Sequence, residues 1–95
     1  MVLNSFFYHL LMYKITTKSK KAEKQFHEFL DEKISKKLGL LKQNPRTNLG
    51  AHKLKGKLKD FWSCWFGSDL RMIYEIDDKN KEIIVFSVGS HKIYL

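Results

Sequence analysis

The sequence predicts an α+β domain: two helices packed on one face of a small twisted, mainly antiparallel sheet of four to five strands. Three observations predict it. Apolar residues recur at helical spacing in one block only, from Ser19 to Gln43. A short β-branched run, "LMYKITTK", precedes that block. After it the period changes to two, and the chain closes on the apolar run "EIIVFSVG". Ninety-five residues, 43% of them apolar and 14% aromatic, suffice for one core and no more.

The elements follow in order. "LMYKITTK" reads as the first strand. Ala22, Phe26, Phe29 and Leu30 then share one helix face, with Lys20, Lys21, Glu23 and Lys24 opposite. The Ser19 hydroxyl can accept from a free amide of the first turn, so it caps this helix. Asp31 is placed to cap a second helix, on which Ile34, Leu38 and Leu41 recur at four and three. Asn44-Pro45 stops that helix, because a residue before proline avoids the helical region. "NPRTNLGAH" reads as loop. "HKLKGKLKDFWSCWFG" alternates Leu54 and Leu58 with lysines and then turns aromatic. "DLRMIYEID" sets Leu70, Met72 and Tyr74 against Arg71, Ile73, Glu75 and Asp77, which puts Arg71 mid-strand and out of phase with the core. "DDKNK" is a turn. The continuous apolar content of "EIIVFSVG" predicts a central strand covered on both faces.

Residues 1–11 read as an N-terminal extension, or as the product of a start codon placed too early, ahead of a single domain at 12–95. The stretch "MVLNSFFYHLLMY" lacks the basic leader and small-residue cleavage site of a signal peptide. It also falls short of the ~20 apolar residues of a membrane span. The expected compartment is the cytoplasm, which suits a lone free thiol, Cys64.

Charge is the strongest compositional signal. The formal net charge is +8, and only Arg46 and Arg71 among the 18 basic residues are arginine. Between Lys33 and Lys59 there are nine basic residues and no Asp or Glu. A one-signed stretch of this length favours a polyanionic partner.

Several conventional sites are excluded. No GxxxxGK[ST] or GxGxxG loop occurs. His9, His27, His52 and His91 have no metal-ligand spacing, and Cys64 has no thiol partner. No nucleophilic serine motif surrounds Ser63, Ser68, Ser87 or Ser90. What remains is polar side chains on or just after the strands. Arg71 can fork two hydrogen bonds onto a phosphate, or else pair with Glu75 along its own face. His91, just past the last strand, can exchange protons near neutral pH or simply be solvated. His52 and Asp69 read equally well as loop and turn residues. "FWSCWF" places aromatics on both faces of its strand, so at least one ring points outward or into a helix seam. Tyr94 is either a terminal plug or a ring that stacks a base.

Three elements taken in order carry a resemblance: Leu54-Lys55-Gly56, Arg71-Met72-Ile73-Tyr74, and Gly89-Ser90-His91 followed by Tyr94. From about residue 12 to 95 the chain resembles the RelE/ParE superfamily of type II toxin–antitoxin toxins, and is most similar to its RelE- and YafQ-like mRNA interferases. The resemblance implies an endoribonuclease that needs no metal or other cofactor and cuts mRNA in the ribosomal A site by 2′-OH attack. Matched residue by residue, it implies Arg71 as the phosphate-stabilising arginine and His91 as the proton-transfer group after the last strand. His52 and Asp69 match further active-site positions. Lys53, Lys55 and Lys57 fall in the basic segment that would hold the mRNA backbone, and Tyr94 would stack or orient a base. The base for the 2′-OH stays open among His52, Asp69 and His91. Two positions depart from the pattern: Trp65 stands where YafQ-like chains often carry a further histidine, and Tyr94 follows His91 by three residues rather than four. The implied partners are a small acidic antitoxin, mRNA and the ribosome, and operator DNA through the antitoxin complex, with no membrane. A ParE-like toxin that binds DNA gyrase without cutting RNA is the alternative, and His91 argues against it.

Overall fold

The computed structural model describes residues 12–94. The extension at 1–11 therefore lies outside the described residues. Seven elements follow one another: β1 (Lys14–Thr17), α1 (Lys20–Phe29), α2 (Glu32–Gln43), β2 (His52–Lys53), β3 (Trp62–Trp65), β4 (Arg71–Asp77) and β5 (Glu82–Gly89). Short 3-10 turns occupy Asn48–Gly50, Gly56–Leu58 and His91–Tyr94.

Both helices start as their caps dictate. The Ser19 hydroxyl accepts from the Ala22 amide at 3.1 Å, and Asp31 Oδ1 accepts from Ile34 at 2.7 Å. Asn44 closes α2, its amide donating to Leu40 O.

The five strands form one mixed sheet in the order β1-β5-β4-β3-β2. The β2–β3, β3–β4 and β4–β5 pairs are antiparallel, as their local connections require. β1 runs parallel to β5, with Lys14 opposite Glu82 and Thr17 opposite Val85. The helix pair makes the crossover that a parallel connection needs. The result is an α+β fold of the RelE-like kind, with two helices against an open sheet.

The core forms between the helices and one sheet face. Leu38 and Leu41 of α2 pack with Cys64, Phe66, Met72, Tyr74, Ile83, Val85 and Val88. Phe26 and Ile34 pack partly buried against this cluster. Two buried polar groups are accommodated there. Tyr74 donates its hydroxyl to Pro45 O at 2.6 Å, tying the chain after α2 to the sheet. Burial pushes the Cys64 thiol up, so it stays protonated and inert.

A polar clamp closes the end of the sheet where β4 turns into β5. Arg46 holds both Asp78 oxygens, at 3.0 and 2.8 Å, and the Tyr13 hydroxyl donates to Asp78 as well. The Arg46 guanidinium also lies 5.7 Å over the Trp62 ring.

The structure corrects the sequence reading at four places. "LMYKITTK" is extended and paired only over Lys14–Thr17. The run 52–66 is not one strand. It breaks into β2, the Gly56–Leu58 turn and β3, because the backbone at Gly56 takes φ +68, which glycine tolerates and other residues resist. Arg71 is the first residue of β4 and not mid-strand. Finally, β5 is not covered on both faces. Ile73 pairs with Ser87 but Tyr74 pairs with Val85, so Phe86 is the extra residue of a bulge. The bulge leaves Phe86 42% exposed on the open face and turns Val88 back into the core. The apolar run that suggested two covered faces is thus a one-sided strand interrupted by a bulge.

Candidate active site on the open face of the sheet

Alternation decides what the open face carries. Cys64 and Met72 point into the core, so their neighbours Ser63, Trp65, Arg71 and Ile73 point the other way. The register then sets two rows across the sheet. One row is Trp65–Arg71–Gly89, and the next is His52–Ser63–Ile73–Ser87. After Gly89 the chain folds back over this face as the His91–Tyr94 turn. Gly89 allows that return: a Cβ there would stand 2.8 Å from Ile93 Cγ2. At the far end of the turn the Tyr94 hydroxyl bonds Ser63 Oγ, which covers Ser63 and satisfies both groups.

The turn brings His91 to Asp69. The His91 amide donates to Asp69 Oδ1 at 3.3 Å, and the same oxygen lies 3.8 Å from Arg71 Nη1. Asp69 therefore touches two different segments, the main chain at His91 and the guanidinium of Arg71. The His91 ring stands 5.2 Å from the Tyr94 ring, tilted by 59°, which limits its swing on that side. Arg71 Nη1 is buried and has no hydrogen-bond partner. Its ion pair with Asp69 is too long to count as one. The salt bridge to Glu75 does not form; Glu75 pairs with Lys18 at 3.9 Å.

His52 reaches the same face one strand away, opposite Ser63. Its Nδ1 lies 3.1 Å from Gly50 O. A carbonyl only accepts, so Nδ1 carries the proton, and in the neutral ring the lone pair belongs to Nε2. The 3-10 turn Asn48–Gly50, with Leu49 and Gly50 both at positive φ, sets that carbonyl in place.

The lysines divide. Lys53 pairs in register with Trp62, so its side chain leaves the sheet on the helix side, opposite to His52. Lys55 and Lys57 are exposed on the Gly56–Leu58 turn beyond β2. With Lys59 they form an exposed basic segment that follows β2 in the chain, apart from the Asp69 cluster. Other members of the basic stretch hold the fold: Lys37 donates to Phe66 O at 2.7 Å, and Arg46 holds Asp78.

Sequence reasoning missed Ser63 and the loop at 66–70. That loop is closed by Phe66 N to Leu70 O and Leu70 N to Gly67 O, at 2.9 and 3.0 Å. Gly67 and Ser68 both take positive φ, and Ser68, as a non-glycine, stores strain there. This shape delivers Asp69 to His91, and it aims the Ser68 carbonyl at the indole N–H of Trp65, 2.8 Å away. The sequence reads Asp69 as a turn residue, but nothing in "FGSD" gives the destination of its side chain.

A hollow of about 480 Å³ lies elsewhere, between β1 and the two helices, and touches none of these residues. Among the described residues, no group of three or more His, Cys, Asp or Glu is gathered to hold a metal ion, and no helix is long and apolar enough to cross a membrane.

Two helices against an open mixed sheet of five strands define a RelE-like fold. More narrowly, residues 11–94 match the family model described as the bacterial toxin of type II toxin–antitoxin system, YafQ, and the chain belongs to that family. A metal-bound toxin from Helicobacter pylori is 31% identical, with TM-score 0.66 over 88% of this chain and 100% of that one. The heterotetrameric YoeB–YefM toxin–antitoxin complex from Staphylococcus aureus matches at 29% identity and TM-score 0.63, over 83% and 97% of the two chains. A YafQ mutant from E. coli shares the fold at 19% identity and TM-score 0.64, over 87% and 98%. A sequence search of curated proteins found no match.

Proposed function

We propose that this toxin is an endoribonuclease that cuts mRNA on the ribosome, in the cytoplasm, and is silenced by an acidic antitoxin. One observation carries the reading: Asp69 supports His91 and Arg71 together, while His52 presents Nε2 on the same face. In-line attack of a 2′-OH on the adjacent phosphate needs a base, an acid and a cation, and these residues supply all three. His52 Nε2 takes the 2′-OH proton as the 2′-oxygen bonds to phosphorus. Arg71 holds the equatorial oxygens, whose charge peaks in the phosphorane. The P–O5′ bond breaks, and His91 in its imidazolium form gives the 5′-oxygen its proton. The products are a 2′,3′-cyclic phosphate and a 5′-OH. The exposed basic segment steers the polyanion, so binding weakens as salt rises.

The antitoxin reading rests on family membership and on the complex formed by YoeB with YefM. Operator DNA would be met through that complex. The test is primer extension on mRNA after induction, with wild type, His91→Ala and Arg71→Ala. Discrete cuts and growth arrest are expected from the wild type alone. DNA breaks without mRNA cuts would overturn the reading in favour of a gyrase poison. Full toxicity of the double variant would overturn the site.

A further inference from the structure

Trp65 is 52% exposed, the most exposed large apolar side chain among the described residues. An indole in water is unfavourable, and β3 has no packing need for it, since Trp62 and Cys64 fill the core side of that strand. Yet the ring is not loose. Its only polar atom, Nε1, donates to Ser68 O at 2.8 Å, from a loop held at positive φ by two consecutive residues. With the N–H satisfied by backbone, what Trp65 offers is a flat, oriented, apolar surface. Its cross-strand partner is Arg71. Directly opposed residues on one face of an antiparallel pair lie about 5 Å apart.

We propose that Trp65 is a base-stacking platform, which takes the nucleobase of the nucleotide adjoining the phosphate held by Arg71 in a single-stranded RNA. The proposal deepens the ribonuclease reading and rests on it for the identity of the polymer. Ring stacking asks for a π-face and not for a particular hydrogen-bond edge, so Trp65 positions any base and favours purines by area. The ring has no group that exchanges protons, so its part is placement. It fixes the ribose and its 2′-OH relative to Arg71 and leaves the chemistry to the histidines.

The test uses the full chain and a single-stranded RNA oligonucleotide made uncleavable by 2′-methoxy groups, with a second set in which one position at a time is abasic. Trp65→Ala is expected to weaken binding about tenfold, within the range measured for losing one stacked base. Trp65→Phe should keep most of the affinity. The salt slope should be unchanged in Trp65→Ala but about one unit shallower in Arg71→Ala, because only the second loses a phosphate contact. One abasic position should cost the wild type as much as Trp65→Ala does, and should cost Trp65→Ala nothing more. Thermal melting confirms that each variant is folded. Unchanged affinity in Trp65→Ala, a reduced salt slope in that variant, or no binding by the wild type at low salt each overturns the proposal. Binding with this stacking pattern but no cleavage of ordinary RNA on ribosomes would sink the ribonuclease reading and leave the platform standing.

Discussion

Asp69 Oδ1 accepts a hydrogen bond from the His91 amide across 22 positions of sequence while standing 3.8 Å from Arg71. The contact with His91 is to the main chain. Asp69 therefore sets where the imidazole starts from, and its charge also steadies the guanidinium.

These two roles separate in a pair of variants. Asp69→Asn keeps an oxygen for the His91 amide but removes the charge; Asp69→Ala removes both. Misplacing a reacting group by about 1 Å can cost on the order of 100-fold in rate. Cleavage by Asp69→Ala should fall by about that factor, with Asp69→Asn between it and wild type. Because the Asp69 side chain is 66% exposed, neither change should cost more than about 1 kcal/mol of stability. Urea titration checks the stability, and single-turnover cleavage on ribosome complexes checks the rate. Equal rates for both variants would assign the whole effect to charge.

Gly89 controls the same geometry from below. A methyl group at this position would press on Ile93 Cγ2 at 2.8 Å, in the middle of the turn that carries His91 and Tyr94. Overpacking of this kind costs about 1–3 kcal/mol. Gly89→Ala should therefore lift the turn, lowering both stability and cleavage. Ile93→Ala in the same chain removes the clashing atom and should restore part of each. Denaturation midpoints and cleavage rates of the two single variants and the double variant form the cycle. A double variant no better than Gly89→Ala would show that the glycine serves something other than this contact.

The sequence made the scaffold legible where structure is local. Helical spacing from Ala22 to Leu41, the caps Ser19 and Asp31, and the stop at Asn44-Pro45 all appear where their chemistry puts them. Alternation on β4 separated Arg71 from Met72 and Tyr74, and so picked the open face. The parts that failed depend on distant chain. A glycine inside an alternating run looks like a strand residue until the partner strand shows that the ladder stops there, as at Gly56. An apolar run looks two-sided until a bulge is seen, as at Phe86. The resemblance implied Arg71 and His91 from its motifs and matched His52 and Asp69 as further positions. It could not show that Asp69 joins two of them, that Ser63 anchors Tyr94, or that Trp65 is fixed by a backbone carbonyl. Two of those links, from Asp69 and from Trp65, depend on the loop that Gly67 and Ser68 hold at positive φ, and the third depends on the return turn after Gly89; short motifs register neither.

The clamp around Asp78 gives the fold an acid-sensitive element far from the site. Hydrogen bonds from Arg46 and then Tyr13, with the Arg46 charge, hold the Asp78 carboxyl well below its ordinary value of 3.8, at about 2. The folded pKa is depressed, so folding is favoured by this group in full above the ordinary value. The contribution shrinks as pH falls and is gone once pH passes below about 2. Asp78→Asn removes the charge at every pH. Wild type should therefore melt above Asp78→Asn from neutral pH down to about pH 4, and the two curves should converge as pH falls to about 2. Melting temperatures of both proteins across this window, at one low salt concentration, make the comparison. Surface ion pairs are screened, so the gap at neutral pH should also narrow when salt is raised. A gap that persists unchanged at pH 2 would mean that Asp78 acts through its shape in the turn and not through its charge on Arg46.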